Sequence, residues 1–148
     1  MKKINIDSQQ VHFIGSWNLE NKKLCSEIIN FFEQNKNLQK PGVSGMGMNT
    51  KIKKTTDIRI NPNDLEKPKF EVFKEYINEL HKCFLDYQNQ WHFLKSVIKT
   101  VDIPAFNVQK YSQGDHFASL HSERTTLNTL HRLFAWMTYL NDVEDGGR

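Results

Sequence analysis

The sequence predicts an α+β fold, and three observations carry that reading. Phe70, Phe73, Ile77, Leu80, Phe84, Tyr87, Trp91 and Leu94 recur in steps of three and four, the spacing of one helix face. Leu24, Ile28, Phe31 and Phe32 mark the apolar face of a shorter helix. Other stretches alternate in twos or are apolar on both faces, as strands are: residues 57–60, 106–111 and 133–140.

In chain order, residues 11–14 read as a short strand ended by Gly15, and Ser16 or Asn18 can cap a helix over 19–34. Residues 35–56 are polar and contain Pro41, Gly42, Gly45 and Gly47, which predicts a long loop; a functional lid and a plain surface loop are both open. The alternating strand 57–60 ends in the turn Asn61-Pro62-Asn63-Asp64. Pro68 suits the first turn of the next helix. That helix spans residues 70–94, about seven turns. Its stripe is largely aromatic, which favours a helix laid across a sheet of the same chain; a homodimer contact through 70–94 is the lesser reading. Residues 97–103 are expected as a strand ended by Pro104. Residues 106–111 place Phe106, Val108 and Lys110 opposite Asn107, Gln109 and Tyr111, which fits a pocket-lining strand or an ordinary one-sided antiparallel strand. A turn at Gly114 leads to a second strand with His121 and Glu123 near its end. Residues 133–140 are expected as a central, covered strand, followed by a polar turn.

Composition narrows the classes. The 148 residues make one domain or part of one. A chain of that size can bury about 68–70% of its unfolded surface. Charged residues are 25% and apolar ones 38%, ordinary for a soluble globular protein. A net charge of +3 is too small to imply a nucleic-acid partner, and Lys51, Lys53 and Lys54 read as a solvated loop. Cys25 and Cys83 fall on apolar helix faces and read as small buried hydrophobes in a reducing compartment, away from zinc-ligand spacing. Met1-Lys2-Lys3 is followed by no apolar run, and no stretch approaches the roughly 18 apolar residues of a membrane span. The expectation is a cytoplasmic protein with no membrane partner.

The chemistry-bearing stretch is His121-Ser122-Glu123-Arg124. In a strand, residues two apart point the same way, so this histidine and carboxylate can grip one metal ion. They would be two of the three donors in a 2-His-1-carboxylate facial triad. The spacing is not specific by itself: six His and 17 acids give roughly 0.7 such pairs by chance. The ordered set carries more. Tyr111, Gly114, His121-x-Glu123, then Tyr139-Leu140-Asn141-Asp142 and Gly146-Gly147 resemble the 2-oxoglutarate and iron(II)-dependent oxygenases of the prolyl 4-hydroxylase type. Phe13-Ile14-Gly15-Ser16-Trp17 and the helix bearing Cys25 resemble the opening of that family's domain. Pro41-Gly42-Val43-Ser44-Gly45 and Thr56-Asp57-Ile58 are similar to a subgroup that writes its first motif His-x-Glu-Arg.

The resemblance implies a double-stranded β-helix, a cupin-like jelly roll, with N-terminal helices packed on its major sheet. Residues 1–148 would then be a single domain, 1–104 as helical support and loops and 105–148 as the first jelly-roll strands. It implies iron(II) and 2-oxoglutarate, with ascorbate as a further candidate, and a peptide (proline-like) or small-molecule substrate. His121 and Glu123 would be catalytic metal ligands and Tyr111 a cosubstrate-binding residue. The family's second metal histidine, and the Arg or Lys for the cosubstrate's distal carboxylate, follow the Gly-Gly turn. Here Arg148 follows it, so the expectation is an N-terminal fragment, lacking the C-terminal strands and inactive alone. Neither His116 nor His131 is expected to replace the missing ligand. The alternative is a non-catalytic jelly-roll binding or structural domain, or a fragment with no activity.

Overall fold

The computed structural model describes residues 1–6, 12–45 and 47–144. In chain order its elements are β1 (Lys2–Ile4), β2 (Ser16–Asn18), α1 (Lys22–Gln34), β3 (Lys40–Pro41), β4 (Lys53–Lys54), β5 (Thr56–Ile60), α2 (Glu71–Gln90), α3 (Phe93–Val97), β6 (Phe106–Lys110) and β7 (His116–Phe117). The chain divides into two compact units, one of Met1–Phe31 with Ile60–Phe106, the other of Phe32–Arg59 with Asn107–Arg148.

The first unit holds α2, α3, most of α1, and the antiparallel pair β1–β2, in which Lys3 faces Trp17. Helix α1 starts at Lys22 because Asn21 caps it: the Leu24 amide donates to Asn21 Oδ1 at 3.0 Å. Ser16 and Asn18, the expected caps, lie in β2 instead, and the intervening Glu20 takes a left-handed φ of 58°. Leu24, Ile28 and Phe31 are buried, as their spacing predicts. The Phe31 ring meets Phe73 edge to face at 4.9 Å and Phe70 at 5.2 Å, and Phe73 meets Phe106 at 6.0 Å. Such tilted pairs are the favoured packing of aromatic quadrupoles.

The expected helix over 70–94 is present as Glu71–Gln90, led in by a 3-10 turn at Pro68–Phe70. It stops at Trp91, whose φ of −119° and ψ of 76° are not helical. The Trp91 ring instead packs on Phe13 at 4.7 Å, and α3 follows after His92. Residues 97–103 are irregular beyond α3, not a strand. The expected strand at 12–14 is likewise irregular, and residue 11 lies outside the described residues.

The second unit contains a sheet in the order β3–β5–β6 and the antiparallel pair β4–β7. The expected long loop over 35–56 is thus largely organised, with β3 pairing Lys40 to Asp57 and β4 pairing Lys53 to Phe117. Phe32 and Ile58 are its buried apolar residues. The expected covered strand over 133–140 is irregular, and Leu133, Met137 and Tyr139 are exposed. A strand needs partners for its amides and carbonyls as well as an apolar sequence. Among the described residues no strand pairs with this segment. Among the described residues, no helix is long and apolar enough to cross a membrane.

Candidate metal-binding site

The candidate donors hang from β7, so the site is built from the turn before it. Ser112 and Asp115 close that turn: the Asp115 amide donates to Ser112 O at 2.8 Å, and the Ser112 amide donates to Asp115 Oδ2 at 2.9 Å. Gly114 supplies the positive φ of 79° that an L side chain resists. Asp115 also pairs with Lys54 Nζ at 2.9 Å, which is the main reason its carboxyl lies below the usual range. Beyond β7 the Ala118 amide donates to Ile52 O at 2.8 Å, the last link to β4.

His121 and Glu123 therefore sit on irregular chain, not near the end of a long strand, because β7 is only His116–Phe117. They are nevertheless brought together. His121 Nε2 stands 3.4 Å from Glu123 Oε1, with both side chains about half exposed. Two residues of chain keep such a pair within reach in a bend as well as in a strand. The imidazole lies flat against Phe117, with centroids 4.5 Å apart and planes at 19°. Its Nδ1 faces Ser119 O at 3.1 Å. A carbonyl only accepts, so this contact places a proton on Nδ1; Nε2 then faces the carboxylate as a lone pair in the neutral ring or as a donor in the imidazolium. Two acceptors at that distance repel unless a second ring proton or a cation stands between them.

Glu123 has another neighbour. Arg132 Nη1 donates to its Oε2 at 2.6 Å, while Arg124 Nε donates to Leu130 O at 3.1 Å, closing the loop between them. The guanidinium orients the carboxylate and also competes with any cation for its charge. No third donor completes the pair: among the described residues no cluster of three His, Cys, Asp or Glu could hold a metal ion. His116 is turned to carbonyls, its ring nitrogens each 3.3 Å from Gly114 O and Lys51 O. Tyr111 is half exposed, its hydroxyl 3.5 Å from Gln109 Oε1, and among the described residues no hydrogen bond or ring contact joins it to His121 or Glu123. Burial, with the charge of Asp57 and then Tyr139, pushes its phenol above the ordinary value. A cleft of about 420 Å³ lined by Lys36, Lys40, Lys54, Thr55 and Asp115 does not include the His121–Glu123 pair.

No family model, curated protein or solved structure matches the chain.

Beside the pair lies a cluster the sequence reading missed. Lys53, expected in a solvated loop, is 4% exposed and bonds Asp57 Oδ2 at 2.8 Å. Thr55 Oγ1 donates to Asp57 Oδ1 at 2.7 Å, and Gln109 Nε2 to Oδ2 at 3.2 Å. The signal was available in the alternation Lys53-x-Thr55-x-Asp57, which puts three polar groups on one face of an extended chain. Gly42 covers this cluster, since a Cβ there would lie 1.9 Å from Thr55 Oγ1. The Lys53 ammonium also stands 5.6 Å from the centroid of Phe117, the ring on which His121 rests.

Proposed function

We propose that the chain is part of a 2-oxoglutarate- and iron(II)-dependent dioxygenase of the prolyl 4-hydroxylase type, built on a double-stranded β-helix. Its reaction would hydroxylate a peptidyl residue such as proline, or a small molecule. One observation supports this reading above the rest: His121 Nε2 and Glu123 Oε1 converge at 3.4 Å while Nδ1 faces the Ser119 carbonyl, a contact that the Nδ1–H tautomer satisfies. That is the donor pair and tautomer that two positions of a facial triad require.

The residues fit two protein ligands and leave the third to a group outside the described set. Iron(II) with 2-oxoglutarate supplies the oxygen chemistry when bound. His121 would offer a neutral nitrogen and Glu123 a charged oxygen, with Arg132 holding the carboxylate's other oxygen in place. Tyr111, protonated at neutral pH, would donate a hydrogen bond to a cosubstrate carboxylate.

A second reading, a non-catalytic binding or structural domain, is favoured by the Arg132 contact, which already neutralises Glu123. The two separate on titration with paramagnetic manganese(II). Selective broadening of the His121 imidazole resonances, lost in Glu123→Gln, is expected for the oxygenase. The protein carrying this chain should then form succinate from 2-oxoglutarate only with iron(II), and His121→Ala should abolish it. Uniform His resonances throughout the titration, with no metal-dependent succinate, would leave the structural reading.

A further inference from the structure

We infer that Phe117 is a positioning residue for His121, and that the buried Lys53–Asp57 ion pair holds Phe117 in place; the inference rests on the metal-site reading above. The argument begins with register. Strands β4 and β7 place Lys53 directly opposite Phe117, and the Ala118 amide ties the chain to Ile52 one residue beyond. Phe117 is therefore fixed at its backbone on the same strand pair that carries the buried lysine.

Lys53 cannot wander. Its side chain is 4% exposed, and its ammonium is held by Asp57, which is in turn held by Thr55 and Gln109. A fixed cation 5.6 Å from the ring centroid attracts the negative face of the aromatic quadrupole and favours one ring orientation. The ring so fixed offers a flat surface to His121, and the near-parallel stack at 4.5 Å sets the plane of the imidazole. Within that plane the Nδ1 contact to Ser119 O sets its rotation. Together the two contacts aim Nε2 at Glu123.

Hydrophobic burial does not explain who occupies this face. Leu120, the neighbour of His121, is fully exposed, whereas the polar imidazole takes the aromatic surface. A chain maximising apolar contact would place the leucine there. The supporting groups of a metal ligand matter because an imidazole free to rotate must be ordered before it can bind; loss of such support typically costs about 10–100-fold in metal affinity.

The test reads the imidazole first and the metal second. In the unsubstituted protein, the His121 Hε1 and Hδ2 protons should be shifted upfield by the Phe117 ring current and should show nuclear Overhauser contacts to it. Phe117→Leu, which keeps an apolar side chain but removes the flat face, should abolish the shift. Phe117→Tyr should preserve it, and Lys53→Met should weaken it. Cobalt(II) affinity should fall by about tenfold or more in Phe117→Leu and change little in Phe117→Tyr. Absence of the ring-current shift in the unsubstituted protein would overturn the inference without any variant having to fold. So would a Phe117→Leu protein with unaltered His121 shifts and cobalt(II) affinity. If the shift is present and lost as expected but cobalt(II) never touches His121, it is the metal-site reading that has failed.

Discussion

Replacing Asp57 with alanine should be among the most damaging single changes in the chain. Its carboxylate accepts hydrogen bonds from Lys53, Thr55 and Gln109, and its partner ammonium sits on a side chain only 4% exposed. Removing one member of a buried pair leaves the other charge uncompensated, at a cost of about 3–5 kcal/mol. That is a large part of the roughly 5–15 kcal/mol by which a domain is stable. With a urea m-value of about 2 kcal/mol/M, a loss of about 4 kcal/mol moves the unfolding midpoint down by about 2 M. The double variant Lys53→Met/Asp57→Leu should recover most of that loss, because it removes the stranded charge along with the pair. Urea unfolding followed by far-UV circular dichroism reads both. A shift of Asp57→Ala below about 0.3 M would mean that water reaches Lys53 and that the pair is a surface one. A double variant no better than the single would place the damage in packing and not in charge.

Phe73 is 1% exposed and touches Phe31, Phe70 and Phe106, so Phe73→Ala should cost about 3–5 kcal/mol by the same unfolding assay. Gly42→Ala forces a Cβ to 1.9 Å from Thr55 Oγ1 and 3.1 Å from Asp57 Oδ2, an overpacking of about 1–3 kcal/mol that Thr55→Ala should partly relieve. Hydrogen bonds from Lys110 and then Lys36 hold Glu33 at about 2, below its ordinary 4.5, and Lys67 with Asn61 holds Asp64 at about 2, below 3.8. A carboxyl depressed in the folded state contributes stability that is complete above its unfolded value and lost as pH falls through its folded one. The urea midpoint should therefore decline from about pH 4.5 to about pH 2 on account of these groups, and Glu33→Gln should make that decline shallower.

What the sequence disclosed and what it hid follow from how local each signal is. The faces of α1 and α2 were legible because three-four spacing is set by the helix itself, and Leu24, Ile28, Phe31 and Phe73 are buried accordingly. The stop at Trp91 was not, since it depends on where Phe13 lies. Residues 133–140 carry a strand's composition, but pairing is a property of neighbours. Lys53 was misread because Lys51 and Lys54 beside it are exposed; only Asp57, two strand positions beyond Thr55 on the same face, distinguishes it. The proximity of His121 and Glu123 was anticipated through alternation and arises instead in irregular chain, as a short separation allows by either route. Tyr111, placed by likeness to a family pattern, makes no hydrogen bond or ring contact with either donor among the described residues.

The irregular segment after Ala118 has a consequence in time. Among the described residues, its backbone hydrogen bonds are short-range, from Thr129 to Thr126 and from Arg132 to Thr129, and Leu120, Leu127 and Leu133 lie in water. Such chain opens at little free-energy cost, so its amides should exchange with deuterium long before those of α1 and α2. Trypsin should find Arg124 and Arg132, both exposed, before it finds the lysines of the helices. The two candidate donors thus sit where the protein opens most readily. An ion that joined His121 to Glu123 would bind the closed form alone, and each tenfold excess over its dissociation constant would slow exchange and cleavage of this segment by roughly tenfold.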